Sequence, residues 1–354
     1  MKSENKTNEL DLFLGIDTHK KSWKVAFYTK DSAFKTLSME PDAQKLRNYL
    51  DKHFQGWNYF SVYEAGFCGF AVHRELINAG IQNIVINPAD VPTTDKEEKR
   101  KSDSIDCRKL ARCLRNNELE CIYIPSQQLE SDRQLVRYRN RQLLKDHTMN
   151  VNRLKSFLKL RGISSPNDIA ERWNKKYEDW VASLEFPNES DKAIRDSLLA
   201  EIKRIQTAIK DIESKIRKLA QSSAYKQQVD LLTTIPGVGL LSAMTILTEI
   251  GDISRFKNLD QLCAFVGLTP NTSGSGEKEY VGKRSKRGNK HLFWILNQCA
   301  WRIKSEDPAL LKTYQQLCQR MDGSEAIIRI MKSLISRIRH VLIKQESYQC
   351  GIEK

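Results

Sequence analysis

The sequence predicts an α/β domain with a mixed sheet, then a long helical connector, then a mainly α-helical C-terminal domain. Three observations carry this prediction. Short β-branched and aromatic runs alternate with amphipathic segments over residues 1–125. Apolar residues recur at spacings of three and four over residues 126–222. Over residues 223–354, apolar helical patterns flank a glycine-rich turn, and a basic run and further helical patterns follow.

In the first region, five runs have the length and composition of strands. They are residues 10–16, 23–28, 33–37, 59–63 and 84–86. Three segments have helical periodicity: residues 41–53, with Pro41 at the start, 70–79, ending at Gly80, and 103–115. A short run at 122–124 is a possible last strand. Three adjacent strands followed by β-α-β-α repeats indicate a mixed sheet.

The connector contains two long helical patterns joined by an irregular stretch that includes residues 173–186. The first pattern consists of Leu144, His147, Val151, Leu154 and Leu158. The second consists of Leu198, Ile202, Ile205, Ile209, Ile212, Ile216 and Leu219, a seam of three heptads. The pair is either an internal antiparallel hairpin or a coiled-coil arm that dimerises. The sustained 3.5-residue repeat favours the arm.

Composition bounds the function. The 354 residues include 58 Lys and Arg against 44 Asp and Glu, and the net charge of +14 favours polyanionic partners, nucleic acid first. A basic protein with no such partner is the alternative. No uncharged apolar run approaches the roughly 18–20 residues of a membrane span, and the N-terminus lacks a signal-peptide core, so we expect a cytoplasmic protein. Eight cysteines without a C-x-x-C pair favour neither zinc nor disulfides.

Four carboxylates carry the strongest chemical signal. Asp17 follows the first strand, Glu64 ends a later strand, and Asp103 and Asp106 are one turn apart on a helix. Each alone is readily a helix cap, a solvated strand end or an ion-pair partner. Together, on these elements, they predict a site for Mg²⁺, which prefers oxygen ligands and supports phosphoryl transfer. The arrangement matches the ribonuclease-H-like pattern.

A turn of sequence IPGVG, residues 235–239, lies between two apolar helical patterns. This is the helix–hairpin–helix signature, in which glycines such as Gly237 and Gly239 let the backbone approach a phosphate. An ordinary turn between helices is the alternative. The basic context favours nucleic acid.

Two basic clusters are candidate nucleic-acid contacts. The first follows a stretch rich in glycine and hydroxyl side chains, residues 267–276, and comprises Lys283, Arg284, Lys286, Arg287 and Lys290. The second lies on the first connector helix and includes Arg137, Arg141 and Lys145. A solvated helix face is an equally good interpretation of the second cluster. The hydroxyl-rich stretch is either a flexible loop or the location of a serine nucleophile, and composition does not decide.

These motifs resemble those of a known family. GIDTHK with Asp17, EAG with Glu64, INP at 86–88 and the D-x-x-D of Asp103 and Asp106 are similar to the N-terminal domain of the DEDD transposases, the Piv/MooV-like enzymes of insertion-sequence family one-hundred-ten. IPGVG, GLTP, SG and the KRGNK-type run resemble the family's C-terminal domain.

The resemblance implies a RuvC-like domain over 1–125, a helical coiled-coil connector over 126–222 and a transposase domain over 223–354. It implies site-specific recombination of DNA guided by a bridge RNA that pairs with donor and target. It also implies Mg²⁺ held by the four carboxylates, a homotetramer with composite sites from two protomers, and a bacterial or archaeal, nucleoid-associated enzyme.

In this family a serine that precedes a glycine after GLTP becomes covalently linked to DNA. At the matching place this chain has Ser273, and Ser275 also precedes a glycine, so either serine fits the pattern. The absence of a G-x-x-x-x-G-K-[ST] loop agrees with a reaction that needs no ATP. Two other functions remain open: a RuvC-type Mg²⁺-dependent nuclease that hydrolyses branched DNA, and a non-catalytic nucleic-acid-binding scaffold.

Overall fold

The computed structural model describes residues 10–92, 103–275, 278–284 and 288–350. The chain divides into two compact units, Met1–Ile124 and Pro125–Lys354. The first unit is built on a five-stranded sheet, and the second is mostly helical. The predicted further boundary between residues 222 and 223 stays a prediction.

The sheet of the first unit is mixed, as predicted. Its strands are β1 (Asp11–Thr18), β2 (Trp23–Tyr28), β3 (Ala33–Met39), β4 (Asn58–Glu64) and β5 (Gln82–Ile86). The spatial order is β3-β2-β1-β4-β5. The first three strands form an antiparallel meander, whereas β1, β4 and β5 run parallel to one another. The parallel connections require crossovers, which the helices supply.

The helices of the first unit are α1 (Ala43–His53), α2 (Ala71–Asn78) and α3 (Asp103–Arg115). The predicted α1 starts at Ala43 because Asp42 accepts hydrogen bonds from Gln44 and Lys45 and caps it, so Pro41 lies before the helix. Alternation along β1 separates two layers. Alternate residues of β1 pack with α1 and α2, and the opposite face meets α3.

The predicted last strand at 122–124 is wrong. This segment has no strand structure, and the Ile122 nitrogen donates to the Val85 oxygen at 2.9 Å. The run is only three residues long and ends at Pro125, which has no backbone N–H to extend a ladder. Ile122 and Ile124 instead pack against the core.

The second unit opens with a helical hairpin. One arm comprises α4 (Gln127–Arg137), a π-helical turn (Tyr138–Leu143) and α5 (Leu144–Leu160), and the other is α7 (Glu189–Ala220). The side-chain contacts of Arg139 with Glu213, His147 with Gln206 and Arg161 with Asp191 show that the arms are antiparallel.

Three residues of the heptad seam, Ile202, Ile205 and Ile216, are buried in this hairpin and in the core beyond it, and the other four are half-buried. Ile202 packs against α5, and Ile216 packs in the core of the helices that follow. Within one chain the two arms therefore form the internal antiparallel pair, and dimerisation through this hairpin stays a prediction. The sequence does not distinguish the two, because an intramolecular hairpin and a dimer seam use the same knob-in-hole spacing.

The tryptophan-containing stretch at 173–186 closes the far end of the hairpin. It contains α6 (Lys175–Ser183). Tyr177 and Val181 are buried against Leu154, Leu158 and Ile202 of the two arms, with Trp173 and Trp180 beside them. This stretch therefore completes an apolar core that the two arms alone would leave exposed at their ends.

The rest of the second unit surrounds one large core. Its elements are α8 (Lys226–Thr233), α9 (Leu240–Ile250), α10 (Leu259–Val266), β6 (Pro270–Ser275), β7 (Lys278–Arg284), α11 (Lys290–Glu306), α12 (Pro308–Cys318) and α13 (Gly323–Lys344). Residues from α8 to α11 and from α13 form the core. In the described part of the chain, no helix is long and apolar enough to cross a membrane.

Candidate active site

Two of the predicted carboxylates lie side by side at the carboxyl ends of β1 and β4. The strands are parallel, and Ile16 pairs with Tyr63, so Asp17 and Glu64 are the next neighbours in register. Ile16 and Tyr63 are fully buried under α1 and α2. Because side chains alternate along a strand, Asp17 and Glu64 belong to the opposite face, where α3 lies. The Asp17 side chain is 22% exposed.

Helix α3 is pressed onto this face at Gly15, two residues before Asp17. A Cβ atom at position 15 would lie 2.0 Å from the Cys107 carbonyl oxygen and 2.5 Å from the Ala111 nitrogen, so only glycine fits. Asp106 precedes Cys107 and therefore lies on the turn of α3 that contacts Gly15. Burial, and after it the charge of Asp17, raises the pKa of the Cys107 thiol to about 11. Asp17 is therefore within electrostatic reach of the helix that bears Asp106.

The fourth predicted carboxylate begins the same helix. Asp103 is the first residue of α3, one turn before Asp106. Its side chain lies outside the described part of the structure. The fold thus places Asp17 and Glu64 at the ends of adjacent strands, and the helix that packs on these strands carries Asp103 and Asp106.

A histidine that sequence reasoning did not select joins the site. The Nε2 atom of His19 lies 3.2 Å from Oδ2 of Asp17. The signal was present in GIDTHK, where the histidine follows the aspartate by two residues at the end of a strand. A protonated His19 pairs with the carboxylate, and a neutral one donates a hydrogen bond to it.

The donor set suits a hard divalent cation, since carboxylate oxygens are the ligands that such ions prefer. Among the described side chains, however, no three from His, Cys, Asp and Glu are grouped closely enough to hold a metal ion. Asp103 is outside that comparison because its side chain is not described. The residues present therefore fit a metal in their chemistry, and a site there would need Asp103 or a closer approach of Asp106 to complete it.

We expect Gly15→Ala to lower the free energy of unfolding of the first unit by about 1–3 kcal/mol, which is the usual cost of overpacking a close contact. The added methyl would push α3 off β1 and move Asp106 away from Asp17. A thermal melt followed by circular dichroism measures the change. Gly66→Ala is the matched control, because the nearest atom to its added Cβ is 3.7 Å away. Equal melting temperatures for the two variants would contradict this account of Gly15.

In the second unit, α8 and α9 flank the predicted IPGVG turn. Its two glycines differ in their surroundings. Gly237 has φ +81°, and a Cβ there would lie 2.9 Å from the Arg302 Cβ and 3.0 Å from the Cys299 oxygen of α11. Close packing against α11 is thus a sufficient reason for this glycine, and the approach of a phosphate to it stays a prediction. At Gly239, which caps α9, a Cβ would meet open space. A cavity beside Gly239 is lined by Arg217, Ser242 and Arg302 among others.

The two candidate serines lie in a β-hairpin, where the sequence suggested a loop. Ser273 pairs with Tyr280 and Ser275 with Lys278, one serine on each side of Gly274 in β6. Their side chains are outside the described part of the structure, as are those of Lys283 and Arg284 in β7. Lys286 and Arg287 lie wholly outside the described residues.

The basic cluster on α4 and α5 is only partly available to a ligand. Arg137 donates Nε and Nη2 to Glu249 at 2.6 and 2.7 Å, and Arg139 donates to Glu213. These two therefore hold the helices together. Arg141 and Lys145 are exposed, as is Lys290 at the start of α11. The sequence could not separate these roles, because each acidic partner is more than 70 residues away along the chain.

Glu249 is a buried carboxylate that the sequence did not reveal, and it is 2% exposed. Burial by itself raises its pKa, but the hydrogen bonds from Arg137 and Asn289 outweigh burial, and the net pKa is lowered. The carboxylate is therefore ionised at neutral pH and fixes Arg137 against α11.

A sheet that gathers carboxylates at one end, in a chain with a strongly basic helical unit, is the combination expected of an enzyme that acts on nucleic acid. Comparison with known proteins gives the class. Residues 14–161 match the model of the DEDD transposases of the IS110 type, described as "Transposase", and residues 229–315 match the "Transposase IS116/IS110/IS902 family". The chain belongs to this family of insertion-sequence transposases, which are enzymes that cut and rejoin DNA.

Curated relatives agree with the family models. A transposase for insertion sequence element IS1533 of Leptospira borgpetersenii is 27% identical over 252 residues, which cover 70% of this chain and 72% of the relative. A transposase for insertion sequence element IS1111A of Coxiella burnetii is 27% identical over 291 residues, 80% of this chain and 78% of the relative. A putative transposase of Sinorhizobium fredii is 29% identical over 68% of this chain and 58% of its own length.

Proposed function

We propose that this transposase is a Mg²⁺-dependent, RNA-guided recombinase that cuts and rejoins DNA through a covalent phosphoserine. One observation carries the catalytic part: Asp17 and Glu64 are neighbours at the strand ends, and Gly15 holds the helix of Asp106 against the same face. The order of three antiparallel and two parallel strands supports a RuvC-like, ribonuclease-H-like assignment.

The carboxylates of Asp17, Glu64, Asp103 and Asp106 would hold the metal. Bound Mg²⁺ would supply positive charge to the oxygens of the scissile phosphate. His19 keeps the Asp17 carboxylate oriented through its 3.2 Å contact. The chain's own contribution is to place two carboxylates on neighbouring strand ends and two on the helix packed against those strands, and a shared cation would offset the repulsion between them.

Ser273 is the proposed nucleophile, with Ser275 as the alternative. The serine oxygen bonds to phosphorus, the 3′ oxygen of the DNA strand leaves, and the serine proton passes to that oxygen. The hydroxyl of another strand then attacks the phosphoserine, which restores the serine and rejoins the DNA. No high-energy cofactor is consumed, because each step exchanges one phosphodiester bond for another and so conserves its free energy. The charged phosphate would be stabilised by the basic residues that follow the serines along the chain, Lys283, Arg284, Lys286 and Arg287.

The partners proposed are donor and target DNA duplexes and a bridge RNA encoded by the element. The chain's charge of +14 and the exposed Arg141, Lys145 and Lys290 support nucleic-acid binding. The open backbone at Gly239, beside Arg217 and Arg302, supports a helix–hairpin–helix contact with phosphate. By family resemblance, the proposal also includes assembly into a homotetramer, arranged as a dimer of dimers. It further places the enzyme in the cytoplasm, associated with the nucleoid.

The second candidate is a RuvC-type nuclease that hydrolyses branched DNA with Mg²⁺. The grouped carboxylates serve it equally well, and it needs no serine. The two functions differ in one product, because only the recombinase passes through DNA joined to protein.

Strand exchange between two labelled duplexes tests the proposal. The purified chain is mixed with RNA transcribed from the sequence flanking its gene, and recombined product is followed on a gel. We expect product with Mg²⁺ and the native RNA, and loss of at least about 100-fold in EDTA or with a scrambled RNA of equal length. Product that forms equally with scrambled RNA would refute RNA guidance. Cleavage without any rejoined product would favour the nuclease.

A further inference from the structure

A basic cleft in the second unit contains an exposed tryptophan. Two adjoining cavities share Arg141, Lys290 and His291. The larger, about 490 Å³, also reaches Arg137 and Phe265, and the smaller is bordered by Trp294. The residues around Arg141, Lys290, His291 and Trp294 are called the basic cleft below.

The floor of the basic cleft is rigidly built. Buried Glu249 accepts hydrogen bonds from Arg137 and, at 2.7 Å, from Asn289 Nδ2. Oδ1 of Asn289 in turn accepts from the backbone nitrogens of His291 and Leu292 and caps α11. This chain of bonds fixes the start of α11 relative to α4 and holds Arg137 in place before any ligand arrives, whereas Arg141 and Lys290 remain exposed to solvent.

A second contact fixes the same corner. A Cβ at Gly288 would lie 2.2 Å from the Gly267 Cα, so the backbone before α11 packs directly against the end of α10. The Asn289 nitrogen also donates to the Phe265 oxygen at 2.8 Å. The wall of the cleft that carries Lys290 and His291 is therefore anchored to α10 by backbone contacts.

The cleft favours an anion. Arg141 lies 3.3 Å from the His291 ring and, like Lys290, is exposed. The one carboxylate in this network, Glu249, is already neutralised by Arg137. Burial first, and then the charges of Arg137 and Arg141, lower the pKa of His291 despite the opposing effect of Glu249. A phosphate would relieve this excess of positive charge.

Trp294 adds a second kind of contact. It follows Lys290 by four residues and His291 by three, so all three lie on one face of α11. Its indole is 38% exposed, which is unusual for so large an apolar ring at the border of a charged cavity. Aromatic side chains beside backbone-binding cations stack on unpaired bases. Bases within a duplex are already stacked on each other and cannot use such a surface.

We propose that the basic cleft binds one unpaired nucleotide of a nucleic-acid strand, with its phosphate on Arg141, Lys290 and His291 and its base on Trp294. This inference rests on the proposed nucleic-acid function and deepens it. The proposed binding mode differs from contacts to duplex phosphates, because those contacts need cations but no aromatic ring.

Binding of the full-length protein to three fluorescent probes tests the cleft: a single-stranded DNA, an RNA of the same sequence, and the DNA duplex. We expect Trp294→Ala to raise the Kd for single strands by about 5- to 100-fold, the effect of losing one stacked base, and the duplex Kd by less than about 2-fold. Trp294→Tyr should restore most of the affinity. A larger effect on DNA than on RNA, or the reverse, identifies the strand that occupies the cleft.

The matched control is Trp301→Ala. Trp301 is on the same helix and is 43% exposed, but it packs against Tyr314 and does not border the cleft. It should leave all three affinities unchanged. Arg141→Ala should weaken every probe and reduce the salt slope by about one, unlike the exposed Arg320→Ala.

Two outcomes overturn the inference, and they are distinguishable. If Trp294→Ala leaves the single-strand Kd unchanged, or weakens duplex and single strands equally, the cleft holds no stacked base, while the proposed transposase function stands. If the wild-type chain binds none of the three probes, the proposed function falls with it. Circular dichroism of each variant verifies that the fold is retained.

Discussion

Asp17→Asn is expected to lower the rate of strand exchange by at least about 1,000-fold while leaving nucleic-acid binding unchanged. The substitution keeps the size of the side chain and removes one negative charge beside Glu64 at the sheet end. It thereby removes a charged ligand of the proposed metal and the negative charge that faces His19. The loss is large because metal-assisted charge stabilisation supplies several kcal/mol to phosphoryl transfer. Single-turnover exchange between labelled duplexes measures the rate, and a filter-binding assay measures affinity.

Asp11→Asn is the matched control for this prediction. Asp11 begins the strand that Asp17 ends, and it accepts a hydrogen bond from Asn58 at 3.0 Å, far along β1 from Glu64. It should retain exchange within about 3-fold, since an exposed polar change away from a site costs little. If Asp17→Asn retains comparable activity, the sheet end is not the catalytic centre, and the scaffold interpretation of the chain gains support.

The sequence predicted the first unit well because its signals are local. Residues 10–16 form an apolar run of strand length, and Leu12, Leu14 and Ile16 of β1 pack under α1 and α2. This run predicted that Asp17 lies at the carboxyl end of the first strand, although β1 extends past Asp17 to Thr18. What the sequence did not reveal is the reason for Gly15. Its role depends on the carbonyl of Cys107, more than 90 residues further along the chain, and no local pattern encodes that contact.

The second unit was harder to predict because its decisive contacts are distant. The heptad seam is real, but periodicity describes a helix face without saying whether the partner is the same chain or another. Helix α12 was not predicted, although Asp307 and Pro308 form a cap and first turn of the usual kind. The basic cluster divided into structural and exposed residues only when Glu249 and Glu213 were seen opposite Arg137 and Arg139.

Ser273→Ala is expected to abolish the covalent protein–DNA adduct and to lower strand exchange by at least about 1,000-fold. The serine hydroxyl is the proposed attacking group, and the methyl side chain of alanine cannot bond to phosphorus. RNA binding should be unchanged, because Lys and Arg contacts to phosphates dominate the affinity and one serine hydroxyl adds little to it. Radiolabelled DNA that stays with the denatured protein on a gel measures the adduct.

Ser275→Ala separates the two candidate serines. Both lie in β6 beside Gly274, so the variants are matched in element and in size of change, and they differ only in the backbone partner across the hairpin. Retention of the adduct in Ser275→Ala with its loss in Ser273→Ala places the nucleophile at 273, and the reverse places it at 275. If the wild-type protein cleaves DNA and both variants cleave equally well without any adduct, hydrolysis by the carboxylate site explains the activity. The serine then has no part in the chemistry, because a nucleophile that can be removed without loss was never bonded to the DNA.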